Sequence, residues 1–392
     1  ELSLSVRSTP KMWFVFGLMA SVTFIGLLSE LLPSGILLEM TQGLGIEQAE
    51  VGFLVGVYAL ASAGFAIPII SATLWVNRKV LLLSLLVGFT LSNLVVGVSS
   101  NYSLIVAMRI IGGICAGIMW PMIAAYGSAL VPKEQQGKAI TIIMAGNTFG
   151  VSLGLPLMTL LGTAFDWRMS FIGLGALSGL ITLLSARFLP AVAGEKLTKS
   201  NSPLAMLKLP AIQLILLLTF LTVVAHYSTY TYIALLVERI AFIGGISFAL
   251  LIFGIGSVVS VFLSAYVIDN YLQQLIVGML LSGAVAIGTL ATFGQVQGLS
   301  HLAFFLWGLA FGPLVTMYQA AISKRVSEAK AIPTSVQSSM FNLSIMVATW
   351  VGGAILVHLP QLGVIGVGYL SLLCFVPATI IAAFAQNSLS SA

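Results

Sequence analysis

The sequence predicts an all-α membrane protein of twelve transmembrane helices in two six-helix bundles, and three observations predict it. Of 392 residues, 59% are hydrophobic and 7% charged, with a mean hydropathy of +1.10, a composition no water-soluble domain displays. Apolar stretches of about 20 residues recur along almost the whole chain, each sufficient to cross a hydrocarbon core about 30 Å thick. The stretches are continuous rather than alternating, which excludes the strands of a transmembrane β-barrel.

The runs place spans at about 12–38, 51–74, 80–99, 103–130, 138–163, 168–189, 211–237, 243–267, 272–294, 299–322, 333–357 and 363–385. The first run, from Met12 to Leu38, is too long for a cleavable leader and lacks a small-residue cleavage site, so it reads as a retained span. Six spans fall in 1–190, a polar linker in 191–210 and six more spans in 211–392. The linker lies between Pro190 and Pro210 and carries Glu195, Lys196, Lys199, Asn201, Ser202 and Lys208.

Basic residues orient the spans, because cytoplasmic loops retain Lys and Arg. With a cytoplasmic amino terminus, Arg7, Lys11, Arg78, Lys79, Lys133, Lys138, Arg187, Lys196, Lys199, Lys208, Lys324, Arg325 and Lys330 all lie inside. Arg168 and Arg239 lie outside, beside Glu39, Glu47, Glu50, Asp166 and Glu238. Both termini are therefore expected to be cytoplasmic, and topology accounts for the net charge of +5 without a nucleic-acid partner. Cys115 and Cys374 lie in apolar runs of opposite halves and indicate neither a disulfide nor a metal cluster; no cofactor is implied. No loop is long enough for a soluble catalytic domain. Two six-span halves joined by a cytoplasmic linker are the layout of transporters that rock two bundles around a central site. The expected partners are a small-molecule solute, protons and membrane lipid, around a monomer.

Ionisable groups inside a span cost several kcal/mol and are retained only with a partner or a task. Glu30 in the first span and Arg109 in the fourth reach a similar depth in the outer half, at about 1.5 Å per residue. They are expected to face one cavity and interact, with Glu30 taking up and releasing a proton; a permanent structural ion pair is the alternative. The seventh span carries Ala225-His226-Tyr227-Ser228-Thr229-Tyr230-Thr231-Tyr232 near mid-depth. His226 is a candidate proton relay, and Tyr227, Tyr230 and Tyr232 offer rings and hydroxyls to an organic solute; helix-to-helix hydrogen bonding is the alternative. Tyr58, Trp120, Asn147, Gln319 and Asn342 are further solute-binding candidates, each equally able to join helices, as are Asn93, Tyr318 and Trp350. Glycine clusters at Gly112, Gly113 and Gly117, at Gly146, Gly150 and Gly154, and at Gly254 and Gly256 mark close helix contacts, and Pro121, Pro156 and Pro313 mark bends.

Several motifs resemble one family. Glu30-Leu31-Leu32-Pro33-Ser34-Gly35 resembles an acidic-residue-then-Pro-x-Gly motif, Arg109 with Gly112, Gly113 and Gly117 a fourth-span arginine motif, and Gly150-x-x-x-Gly154-Leu155-Pro156 an antiporter signature. Asp166-Trp167-Arg168, Phe253-Gly254-Ile255-Gly256-Ser257, Leu306-Trp307-Gly308 and Phe341-Asn342-Leu343 are also similar. By these motifs the chain resembles, over nearly its whole length, the sugar and drug efflux branch of the major facilitator superfamily, related to arabinose and drug/proton antiporters. The resemblance implies export across the cell (inner) membrane by proton antiport and alternating access, with Glu30 carrying the proton and Arg109 as its partner. The implied solutes include sugars, nucleosides and amphipathic drugs. Two departures stand out. The family's Gly-x-x-x-Asp-Arg-x-x-Arg-Lys loop is here Ala72-Thr73-Leu74-Trp75-Val76-Asn77-Arg78-Lys79, which leaves Arg78 and Lys79 as gating candidates without the acid, and Asp269 as a counterpart in the second half. Leu235 stands where many relatives have proline. A proton-coupled importer shares all these features. A membrane-embedded enzyme does not fit, since no His-Glu-x-x-His helix, paired intramembrane aspartates or Gly-x-Ser-x-Gly elbow occurs.

Overall fold

The computed structural model describes residues 10–194, 207–268, 270–323, 325, 331–385 and 389. Twelve helices are long and apolar enough to cross a membrane: Lys11–Gly35, Gln48–Phe65, Arg78–Val98, Tyr102–Ser128, Lys133–Ala164, Trp167–Phe188, Pro210–Thr231, Gly245–Val267, Leu272–Phe293, Leu299–Ile322, Ser335–His358 and Val364–Phe384. Each predicted span corresponds to one of them. By parity, the linker and the chain ends share one side, here called the linker face; the opposite side is the distal face.

Helix starts follow from local side chains that satisfy otherwise orphaned N–H groups. Asn77 Oδ1 accepts from the Lys79 N–H at 2.9 Å at the third span, and Asn101 Oδ1 from the Ser103 N–H at 3.0 Å at the fourth. Asp166 Oδ1 accepts from the Arg168 N–H at 3.1 Å at the sixth. Glu47 and Glu50 close a capping box at the second.

Four spans are interrupted, two of them at prolines that the sequence marks as bends. The first ends at Gly35, and Leu37–Leu44 forms a separate short helix on the distal face. The fifth carries a π turn at Gly150–Gly154, just before Pro156, whose missing N–H loosens the hydrogen-bond ladder. The tenth breaks at Gly312 and Pro313, as the proline predicts. The seventh breaks at Tyr232, between Pro210–Thr231 and Ile233–Arg239, although Leu235 replaces the expected proline.

Close backbone approach welds the second and fourth spans: a Cβ on Gly113 would overlap the Tyr58 carbonyl, while Ser62 Oγ donates to the Gly113 carbonyl at 2.6 Å. Gly113→Ala is expected to lower stability by about 1–3 kcal/mol through overpacking against main chain that cannot yield. An unchanged melting temperature in detergent would contradict this.

The halves meet mainly through the second with the eleventh span and the fifth with the eighth. On the second span Val55 and Ala59 are buried against Val223 and Ile345 of the other half, whereas Gly64, Phe65 and Pro68, further toward the linker face, are exposed. The eighth span packs on Gly150–Gly154 and Leu155–Ala164 far more than on the linker-side Gln136–Phe149, and a Cβ on Gly254 would overlap the Ser152 main chain. The interface is thus closed on the distal side and parts toward the linker face.

Candidate functional site

Pro33 has no N–H, so the Ser29 carbonyl one turn earlier lacks its helical partner. Arg109 fills that vacancy. Its Nη1 donates to the Ser29 carbonyl, Nη2 to the Glu30 carbonyl at 3.1 Å and Nε to the Leu54 carbonyl at 3.1 Å. The guanidinium carbon lies 4.3 Å from the Tyr58 ring centroid, a cation–π contact that fixes the remaining face. Asn93 Nδ2 donates to Ser29 Oγ at 3.0 Å from the third span. One buried cation therefore ties the first, second and fourth spans together.

The depth argument brings Glu30 and Arg109 together, but through the main chain. The Glu30 carboxylate has no ion-pair partner among the described residues. It is half-buried and lies within electrostatic reach of the Arg109 guanidinium and Tyr58 in its own half and of Tyr227 in the other. Trp120, packed beside Gly26 of the first span, and Asn147 are also half-buried in this half. Tyr58 is buried beneath the Arg109 guanidinium, with its hydroxyl 3.5 Å from the Gly26 carbonyl.

His226 sits in a box of rings. Phe311 stacks on it with centroids 4.2 Å apart and Phe253 at 5.9 Å, while Tyr227 at 4.7 Å and Trp307 at 5.7 Å meet it edge to face. Trp307 Nε1–H donates to His226 Nδ1 at 2.9 Å. Tyr227 is half-buried and packs on Phe341 across a 5.8 Å centroid separation. Tyr230 is buried, and its hydroxyl has no partner among the described residues. Tyr232 is fully buried at the break of the seventh span, wedged between Gly52 of the second and Gly352 and Gly353 of the eleventh, and donates to the Thr349 carbonyl at 2.8 Å. It plugs the distal side. Beside it Phe53 and Trp350 stack across the interface with centroids 5.3 Å apart.

Asn342 and Gln319 are half-buried; Asn342 Nδ2 bonds within its own helix, to the Ser338 carbonyl at 3.0 Å. Tyr318 is buried and shares a 2.6 Å hydrogen bond with Thr222, which assigns it to helix joining. At the linker face Arg78 is buried, and its Nη2 donates to the carbonyls of Thr73, Leu74 and Val76 at 2.9, 2.7 and 2.8 Å. It caps the C-terminal end of the second span, where a cation complements the helix dipole. The Arg78 N–H donates to the Val192 carbonyl at 2.8 Å, which ties the start of the linker to this loop. Lys79 lies beside it at the N-terminus of the third span, and Asp269 lies outside the described residues.

Sequence reasoning reached Glu30, Arg109 and His226 but not the residues that hold them. Trp307 and Phe311, four apart on one helix face, and Phe253 close the box around His226; only the i, i+4 spacing of two aromatics hinted at it.

A twelve-span bundle that closes on one face around half-buried polar and aromatic side chains belongs to a membrane transporter rather than an enzyme. Residues 18–349 match the Major Facilitator Superfamily, and the chain belongs to that family. A probable sugar efflux transporter of Mannheimia succiniciproducens is 27% identical over 359 residues, covering 90% of this chain and 88% of that protein. The nucleoside transporter NupG superimposes with a TM-score of 0.76 at 15% identity, covering 96% of this chain and 99% of that one. A bacterial homologue of the human lysosomal transporter Spinster gives 0.70 at 14% identity, covering 98% and 97%. At these identities the two structures speak for the fold alone.

Proposed function

We propose that the chain is a proton-coupled antiporter exporting a small, neutral organic solute from the cytoplasm, with a sugar as the leading candidate. The observation that carries this reading is the Glu30 carboxylate. It is half-buried between the halves without an ion-pair partner among the described residues, while the nearby cation is engaged by main-chain carbonyls. An intramembrane carboxylate of that kind is retained for a task, and proton carriage is the one this position supports. The basic loops support a cytoplasmic linker face in an inner membrane, and in that reading a closed distal face is an inward-facing conformation. In this reading segments 1–190 and 211–392 rock about the 191–210 linker. Tyr232 is the outer plug, and Trp120, Asn147, Tyr227, Gln319 and Asn342 line the solute path. The similarity to a probable sugar efflux transporter supports both direction and solute class.

Everted vesicles separate export from import. Lumenal acidification should drive sugar accumulation, whereas uptake by intact cells driven by external acid would replace this reading with import. Thermal-shift screening against sugars, nucleosides and amphenicols tests the class, because a ligand of the native state raises its melting temperature with occupancy.

The distal face supplies a pH dependence of its own. Glu39, half-buried in the helix Leu37–Leu44, has its pKa raised above the ordinary carboxylate value, by burial first, with Glu238 of the other half adding to it. A carboxyl that holds its proton more tightly when the distal face is closed makes acid favour closure, and that preference fades as pH rises through its raised pKa. Spin labels at Ala164→Cys and Gln361→Cys should report a growing short-distance population on acidification, with a weaker response in Glu39→Gln. An unchanged response in that variant would remove Glu39 from gating.

A further inference from the structure

The environment of His226 fixes more than its position. Phe311 stacks on it at an interplanar angle of 26°, Phe253 lies near-parallel at 15°, and Trp307 occupies its Nδ1 edge. Because an indole N–H only donates, Nδ1 must accept, and the hydrogen-bond network assigns the ring proton to Nε2. Protonating Nδ1 would set two N–H groups against each other. The Nε2 edge has no hydrogen-bond partner among the described residues, although the side chain is only 5% exposed. An imidazole held by stacked rings and along one edge thus presents a single N–H, with the rings of the half-buried Tyr227 and of Tyr230, whose hydroxyl has no partner among the described residues, 4.7 and 5.2 Å away between centroids.

We propose that Trp307 is a positioning residue that locks His226 as a neutral Nε2–H donor, and that this donor selects a solute bearing an acceptor oxygen, such as a sugar hydroxyl, over one lacking it. The choice of sugar as the solute rests on the proposed function; the lock on His226 does not. A donor that an arriving solute cuts off from water penalises any solute that leaves it unpaired, which is how a hydrogen-bonding site discriminates more sharply than an apolar one. His226 then contributes to solute choice rather than to proton movement, and coupling falls to Glu30 alone.

The chain has three histidines, so ring-15N-histidine NMR of the purified full-length protein resolves the matter with few signals. One histidine should show Nδ1 unprotonated and Nε2 protonated unchanged from pH 5 to 8, its signals absent in His226→Gln. In Trp307→Phe, which keeps a ring but removes the N–H, the same signals should shift as the neutral ring samples both tautomers. Wild-type titration of His226, or no change in Trp307→Phe, would overturn the lock. Calorimetric binding of a panel of hexoses and their deoxy analogues tests the donor. Loss of one positioned hydrogen bond should weaken the best hexose about tenfold in Trp307→Phe. His226→Gln, whose carboxamide can place an N–H near the Nε2 position, should weaken it less. Equal affinity in all three proteins for a hexose that binds would overturn the donor role. If no hexose binds but a nucleoside or an amphenicol does, and weakens in Trp307→Phe, the donor role stands and the sugar class fails. Melting temperatures of the variants identify any loss that is merely misfolding.

Discussion

Glu30→Gln is expected to reduce proton-driven accumulation to equilibration while leaving solute exchange intact. One pH unit corresponds to about 1.4 kcal/mol per proton, so a carrier coupled to one proton concentrates its solute about tenfold for each unit. Glutamine keeps the size and much of the hydrogen-bonding capacity of the side chain but cannot bind or release a proton. Its backbone carbonyl still accepts from Arg109 Nη2, so the fold around the site is retained. The measurement is a pair of assays on the same proteoliposomes: accumulation against an imposed pH gradient, and counterflow of labelled solute without one. Loss of the first with the second preserved assigns the proton to Glu30. Full accumulation in the variant would exclude it, and loss of both would point to a solute-binding role instead.

Composition and run length made the twelve spans legible, because the bilayer leaves backbone polar groups little choice but helices. The breaks were legible only where a local cause stands in the sequence. Pro313 announces the tenth-span break, but the seventh breaks at Tyr232 without a proline, in a stretch where Tyr232 fills the space left by glycines of the second and eleventh spans. That cause is tertiary. Depth along the helix brought Glu30 and Arg109 to one level, where the guanidinium meets the Glu30 carbonyl, yet depth cannot distinguish a carboxylate from a carbonyl on the same residue. The aromatic box around His226 draws on the seventh, eighth and tenth spans, whose mutual rotation a one-dimensional pattern does not encode. Arg78, a gating candidate by its motif, lies just past a helix C-terminus, where its guanidinium meets several carbonyls at once; that cap depends on how the loop turns.

Arg109→Ala is expected to be the most destabilising single change in the amino-terminal half. It removes three charge-assisted hydrogen bonds and leaves the Ser29 carbonyl, already deprived of its helical donor by Pro33, without a partner in the membrane core. Breaking buried polar contacts of this kind costs about 3–5 kcal/mol, enough to lose most folded protein. Arg109→Lys should recover only part of the loss, because an ammonium is a point charge and cannot reach three carbonyls and a tyrosine face with the geometry of a planar fork. Thermal melting in detergent, followed by monodispersity on size exclusion, ranks the variants. The double substitution with Glu30→Gln then separates two roles for Arg109. Were Arg109 the ion-pair partner of the carboxylate, removing both charges would restore several kcal/mol relative to the sum of the single changes. With the guanidinium bound to main-chain carbonyls and only a through-space attraction to the carboxylate, the two effects should add to within about 1 kcal/mol, since Glu30→Gln leaves those carbonyls as orphaned as they are in Arg109→Ala alone. Near-additivity would make Arg109 the brace that holds the first span bent at Pro33, and Glu30 the only member of the pair free to exchange a proton with the solvent of the open face.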